Sequence, residues 1–264
     1  MEKSQNTLPI GFFDSGVGGL SVLARFKKIL PKENIIYFGD TVHLPYGNKT
    51  KEELIEYAKN ILNFMKNKGV KAVVIACNTS SAQAYDTIKN LFSFPIYPII
   101  QTCAKSVANS GISRIGVFAT EATVKSGKYT EELKKCNPNI IVKEMASKNW
   151  VGIVEKNSKN LERDIKNIKT ELEEMLSFKP EKIILGCTHY PFLMNEFEKY
   201  VSKDLFIDPS IIFADVIKQD LERNNLLNTS NSSAKEQFFV TSKPEDFVKN
   251  AEIFYKVQNQ PILL

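Results

Sequence analysis

The stretch KAVVIACNT (residues 71–79) decides the fold class. Its apolar core, Ala72–Ala76, is too short for a buried helix and ends in cysteine, asparagine and threonine. That pattern suits a strand buried on both faces that turns directly into a helix. EKIILGCTH (181–189) repeats it: apolar run, small residue, cysteine, then hydrogen-bonding side chains. Cys77 and Cys187 stand 110 residues apart, and IGFFDS (10–15) matches IGVFAT (115–120) at a spacing of 105. Both matches keep chain order, which points to duplication of one α/β unit.

Outward from these runs, strands are expected at PIGFF (9–13), NIIYF (34–38), PIYPI (95–99), RIGVF (114–118), IIVKEM (140–145), DLFID (204–208) and QFFVT (237–241). Amphipathic stretches separate several of them. Over 51–68, Leu54, Ala58, Ile61 and Met65 recur at helical spacing, Thr50 and Glu53 form a capping box, and Gly69 follows the end. A second long helix fits 158–178 through Leu161, Ile165, Ile168, Leu172 and Met175. Strand–helix alternation of this kind predicts an α/β fold of two similar, doubly wound parallel-sheet domains. Each would contribute strand-end loops to a shared crevice.

Composition excludes several classes. With 264 residues, 43% hydrophobic and 25% charged, the chain reads as one large or two smaller globular domains. No apolar run reaches the roughly 18–20 residues of a membrane span. MEKSQNTLP (1–9) lacks a signal-peptide core, so the expected compartment is the cytoplasm. Cys77, Cys103, Cys136 and Cys187 form no CxxC pair, and two histidines are too few for a zinc cage, so no metal is expected. A disulfide framework does not suit a cytosolic chain of this size. The net charge of +5 does not imply nucleic acid, because only four of the 35 basic residues are arginine and the lysines alternate with glutamates, as in KTKEELIEYAKN (49–60).

The chemistry-bearing residues follow predicted strands, where open α/β sheets place ligands. Asp14-Ser15-Gly16-Val17-Gly18-Gly19 follows the first. A dinucleotide fingerprint fails there: Ser21 occupies the third small-residue position, and Asp14 would set a carboxylate beside a pyrophosphate. Gly47-Asn48-Lys49-Thr50 lacks the adjacent Gly-Lys of a phosphate loop, so no cofactor is expected. A lone cysteine after a strand is ordinarily a buried small apolar residue, and Cys103 and Cys136 are read so. Cys77 and Cys187 differ. Each precedes a strand-to-helix turn whose amides favour a thiolate, and the repeat relates them. His189 could orient or protonate Cys187, whereas His43 reads as a loop or packing residue. Two acid/base groups on opposite sides of one carbon suit proton removal on one face and return on the other.

FDSGVGGLSVL (13–23), GDTVHLPYG (39–47), ACNTSSA (76–82) and GCTHYP (186–191) together resemble the signature blocks of the glutamate racemases, cofactor-independent amino acid racemases. The resemblance runs from about Ile10 to Tyr255. It implies two domains related by pseudo-twofold symmetry with the active site in the cleft between them, and two-base interconversion of L- and D-glutamate to supply peptidoglycan. Carried over by position, Cys77 resembles the base for the D-isomer and Cys187 the base for the L-isomer. Asp14, His189 and Glu155 match the assisting residues; the bare sequence would read Glu155 only as surface helix. Ser15, Pro45, Tyr46, Gly47, Asn78, Thr79 and Thr188 match ligand-holding positions, as do Thr120 and Thr123 in the second domain. Three departures stand out: His43 where arginine is more usual, Ser80 where alanine is, and an altered segment IDPSIIFAD (207–215).

The expected domains are 1–98 with 209–264, carrying Asp14 and Cys77, and 99–208, carrying Cys187 and His189. The expected assembly is a homodimer acting on a small molecule, with no nucleic-acid or membrane partner. Aspartate racemisation is the neighbouring alternative, although the DSGVGG and PYG blocks look like the glutamate branch. A cysteine-nucleophile hydrolase using Cys187 and His189 leaves Cys77 unexplained. A non-catalytic binding protein is favoured only by the charge.

Overall fold

Parallel pairing organises the chain from its first strand onward. The computed structural model describes residues 5–156 and 158–264; Met1–Ser4, part of the stretch read above as lacking a signal peptide, lie outside them. Two units result, one comprising the chain up to Ile99 together with Ser210–Leu264, the other Ile100–Pro209.

The first unit begins β1 (Ile10–Asp14), α1 (Leu20–Ile29), β2 (Ile35–Gly39), α2 (Lys51–Asn67), β3 (Ala72–Ile75), α3 (Asn78–Gln83), α4 (Tyr85–Ile88) and β4 (Ile96–Pro98). The second contains α5 (Ile99–Ala108, from its second residue), β5 (Arg114–Ala119), α6 (Glu121–Ser126), α7 (Lys128–Cys136), β6 (Ile141–Ala146), α8 (Trp150–Val154), α9 (Leu161–Ser177), β7 (Lys182–Gly186), α10 (Met194–Phe197) and β8 (Phe206–Ile207). From Ser210 the chain belongs to the first unit again, with α11 (Pro209–Arg223), β9 (Glu236–Val240), α12 (Pro244–Ala251) and β10 (Ile262–Leu263).

The first sheet runs β10-β9-β2-β1-β3-β4 and the second β6-β5-β7-β8, parallel throughout. Their shared order is the strongest sign of duplication: β4-β3-β1-β2 in one is β8-β7-β5-β6 in the other. Side chains repeat too. A Cβ on Gly11 would lie 2.7 Å from Met65 Sδ, and one on Gly116 would lie 2.6 Å from Met175 Sδ. In each unit the Ile-Gly-x-Phe strand thus leaves room for a methionine from a 17-residue helix, α2 or α9. Central strands buried along their whole length, as β1, β2 and β3 are, need apolar runs rather than alternation.

Local signals explain the helix starts. Thr50 Oγ1 accepts from the Glu53 amide while Glu53 Oε2 accepts from the Thr50 amide, so α2 opens on the expected capping box. Asn160 caps α9 by accepting from the Arg163 amide. Two readings need correction. Cys136 is exposed although it shares a helical face with Tyr129 and Leu133, because it is the last residue of α7 and the stretch 134–139 around it is mostly exposed. Strand β10 has no counterpart among the expected strands, since two residues of QPILL carry no periodic signal. Among the described residues no helix is long and apolar enough to cross a membrane.

Register decides where the chemistry stands. Asp14 is level with Gly39, and Phe13 with Ile75, so Asp14, Asp40 and Cys77 emerge together at the carboxyl edge of the first sheet. Ala119 is level with Gly186, so Thr120 and Cys187 emerge together in the second. A cavity of about 890 Å³ opens instead at the amino ends of β2 and β9, lined by Lys27, Asn34, Glu236 and Tyr255 among others. It includes none of the expected site residues.

Candidate active site

Cys77 caps α3, and its sulfur accepts from the Ser80 amide at 3.5 Å. A helix-terminal N–H directed at sulfur favours the thiolate, as the strand-to-helix reading requires. The side chain is buried, 6% exposed, in a cluster with Tyr46 and Leu54 against which Tyr57 packs. Asn78 and Thr79, the next two residues, are buried beside it.

Asp14 ends β1 with 1% exposure, and its Oδ1 accepts from the Gly16 amide at 3.0 Å. The glycine loop packs tightly over it: a Cβ on Gly19 would fall 2.5 Å from Asp14 Cβ and 2.8 Å from Tyr37 Oη. Tyr37 donates its phenol to the Gly16 carbonyl at 2.7 Å. Burial, then the nearby Asp14 and Cys77, raise the Tyr37 phenol well above its ordinary range, so it serves only as a donor. Sequence reading missed Tyr37, whose position within an apolar strand gave no polar signal.

The Pro45-Tyr46-Gly47 segment follows β2. Tyr46 donates to Asp40 Oδ2 at 2.5 Å, while the Thr241 hydroxyl donates to Asp40 Oδ1 at 3.0 Å. Burial, then Asp40, push the Tyr46 phenol far upward, and Cys77 and Asp14 add to the effect. Asp14, Cys77 and Tyr46 are therefore electrostatic neighbours. Ser15 is half-buried at the start of the glycine loop, Pro45 is exposed and Gly47 half-buried.

In the second unit the acid/base groups form a line. Cys187 Sγ lies 3.7 Å from His189 Nδ1, and His189 Nε2 lies 2.8 Å from Glu155 Oε1. Burial alone would lower the imidazole's pKa; hydrogen bonds to Cys187 and Glu155 override it and push it up to about 10. His189 therefore carries its second proton through neutral pH. Thr188 Oγ1 lies 3.4 Å from the same Nδ1. Here the helix-terminus expectation is revised: a short 3₁₀ turn, Tyr190–Leu193, follows Cys187, and the imidazolium takes the place of helix amides.

Glu155 directly follows α8, far from His189 in sequence, yet its segment is tied to α9. Asp164, 1% exposed, accepts from Ser158 Oγ at 2.7 Å and from the Asn149 side-chain amide. Those two bonds, Ser158 foremost, hold the Asp164 carboxyl below its usual range. One heptad on, Glu171 Oε1 accepts from the Lys148 amide at 3.0 Å. Neither carboxylate was singled out from sequence, although both interrupt the apolar face of α9. Thr120 caps α6, and its hydroxyl lies 3.0 Å from that of the fully buried Thr123.

The first unit thus brings together Asp14, Ser15, Tyr46, Cys77, Asn78 and Thr79; the second brings together Glu155, Cys187, Thr188 and His189, with Thr120 at the same sheet edge. Cys103 is fully buried, and its thiol is pushed up to about 12 by burial and then by Asp208, as suits an inert core cysteine.

Comparison with known proteins gives a consistent result. The model of the Asp/Glu/hydantoin racemase family matches residues 18–216. Glutamate racemase 2 of Caldanaerobacter subterraneus subsp. tengcongensis is 42% identical over 249 residues, covering 93% of this chain and 92% of that protein. The crystal structure of Francisella tularensis glutamate racemase in complex with D-glutamate superposes with a TM-score of 0.87 at 33% identity, covering 98% of each chain. A glutamate racemase isoform from Bacillus anthracis superposes with a TM-score of 0.91 at 29% identity, again over 98% of each.

Proposed function

The chain belongs to the Asp/Glu/hydantoin racemase family, and we propose that it interconverts L- and D-glutamate by a cofactor-independent transfer of one proton at Cα between two cysteines. The observation that carries the two-cysteine reading is the duplicated cysteine. Equivalent strands, β3 and β7, are each followed by a buried cysteine, and each cysteine has its own device for holding negative charge. For Cys77 it is the amide terminus of α3; for Cys187 it is the His189 imidazolium backed by Glu155.

In the L-to-D direction the Cys187 thiolate takes the Cα proton and becomes a thiol. The Cys77 thiol gives its proton to the opposite face and becomes a thiolate. The D-to-L direction runs the same transfers in reverse. Asp14 assists Cys77 and faces the substrate ammonium, while His189 and Glu155 assist Cys187. Ser15, Asn78, Thr79, Thr188, Thr120, Thr123 and the Pro45-Tyr46-Gly47 segment hold the carboxylates. Because the Tyr46 phenol is already given to Asp40, that segment contributes its main chain and ring. The product supplies peptidoglycan synthesis, and the working form is a cytoplasmic homodimer; these extensions rest on resemblance to glutamate racemases.

The test is racemisation of each glutamate enantiomer in deuterium oxide by purified protein with no cofactor added. Two bases predict deuterium in the product isomer and little in recovered substrate at initial rate. Equal early labelling of both would indicate one base. Turnover of aspartate in preference to glutamate would move the substrate to the neighbouring alternative.

A further inference from the structure

His43 is the residue that departs from the racemase pattern in the PYG block, and its ring is used in two ways. Nδ1 lies 2.9 and 2.8 Å from the two Asp40 oxygens. The ring itself lies flat on Tyr57, with centroids 3.9 Å apart and planes 13° apart. Each partner leads to Cys77 by a separate route. Asp40, 2% exposed, anchors the Tyr46 phenol, and Tyr46 is in the buried cluster with Cys77. Tyr57 packs against that cluster from α2, where its own phenol donates to Glu53 Oε1 at 3.4 Å. The two tyrosine rings also meet each other, 5.9 Å between centroids.

The histidine side chain is 36% exposed, and the buried Asp40 keeps its bonds from Tyr46 and Thr241 without it, so the contact is not needed to satisfy the carboxylate on folding. Its effect falls on its neighbours. Without the stacked imidazole, Tyr57 loses the cover on one face of its ring and is held by its packing against the cluster and one long hydrogen bond. Without the Nδ1 contact, Asp40 meets water on one side, and the direction in which it holds Tyr46 is less sharply defined. Proton transfer is sensitive to such changes, since a displacement near 1 Å costs on the order of 10²-fold in rate.

We infer that His43 is a positioning residue for Cys77, holding Tyr46 through Asp40 and Tyr57 by stacking, so that the two rings beside the thiol stay fixed. The inference rests on the reading of Cys77 as one of the two bases. It assigns His43 no contact with substrate.

The test compares H43A, which loses both contacts, with H43F, which keeps the stack, and H43Q, which keeps a donor for Asp40. Alkylation of Cys77 by iodoacetamide is followed by peptide mass spectrometry, with Cys187 in the same molecule as the internal reference. H43A is expected to raise the Cys77 rate at least about threefold, to leave Cys187 unchanged, and to lower kcat about tenfold with an unaltered urea midpoint. H43F and H43Q should each restore part of both effects. Wild-type alkylation and kcat in H43A overturn the inference, as does an equal change at both cysteines. The underlying reading fails separately: if Cys77→Ser racemises normally, Cys77 is not a base, whatever His43 does.

Discussion

His189 Nε2 stands 2.8 Å from Glu155 Oε1, and this contact fixes the charge that the imidazole presents to Cys187 on its other side. Burial opposes the charge; the two flanking acceptors sustain it.

Replacing Glu155 with glutamine removes one of those acceptors' charges. The His189 midpoint, now about 10, should fall by roughly 1–3 units. Two histidines in the whole chain make the proton NMR titration simple to assign, with a His43 variant identifying the other signal. An unmoved midpoint would mean that Glu155 only orients the ring.

Stability should follow the same proton. The folded-state midpoint of His189 lies above its ordinary 6.5, so its contribution is complete below that pH and disappears as pH rises through about 10. The stability gap between wild type and His189→Gln, measured by urea unfolding, should therefore shrink between pH 6.5 and pH 10.5. A decrease of at least about 1.4 kcal/mol, the equivalent of one unit, is expected. A constant gap would contradict the charged state.

Each cysteine should be indispensable to overall racemisation. Cys77→Ser and Cys187→Ser are each expected to lower turnover by about 10²–10⁴-fold, the usual worth of a positioned acid or base. Near-normal turnover in either variant would remove that residue from the pair.

Gly19→Ala tests the packing that seats Asp14. Its methyl group would fall 2.5 Å from Asp14 Cβ, inside the body of a residue with no room to retreat. A stability loss of about 1–3 kcal/mol is expected, with at least a tenfold lower kcat/KM. Full activity in the variant would show that the glycine loop yields without moving the carboxylate.

The duplication carries its own prediction. Gly11→Ala and Gly116→Ala push against the sulfurs of Met65 and Met175 at almost the same distance, 2.7 and 2.6 Å. Both should destabilise by about 1–3 kcal/mol, because methionine is flexible but here fully buried. Combined with alanine at the matching methionine, each should cost less than the sum of the two single changes, because the vacated space takes up the added methyl. Such coupling in one half alone would break the equivalence.

Local features were legible without coordinates. The apolar runs that became β1, β3, β5 and β7, the Thr50–Glu53 capping box and the cysteines after β3 and β7 all depend on residues close in sequence. Their signals are periodicity and turn chemistry, which neighbouring residues carry among themselves. Asp40 shows where such reading stops. Its partners include Tyr46, a short way along, and Thr241, 201 residues away, and nothing in either local pattern announces the bond. His43 read only as a loop or packing residue, with no partners named, because the ring it stacks on is on α2 and its polar partner is buried.

The sequence by itself therefore determined the α/β class, the duplication implied by the repeated blocks, and the two cysteines as candidates. Tertiary structure alone decided that Glu155 stands directly behind His189, which phenol restrains the glycine loop, and which ring covers Tyr57. The reason is physical. Strand and helix formation responds to short-range pattern, whereas the charge on a buried group depends on whichever side chains packing brings within hydrogen-bond reach.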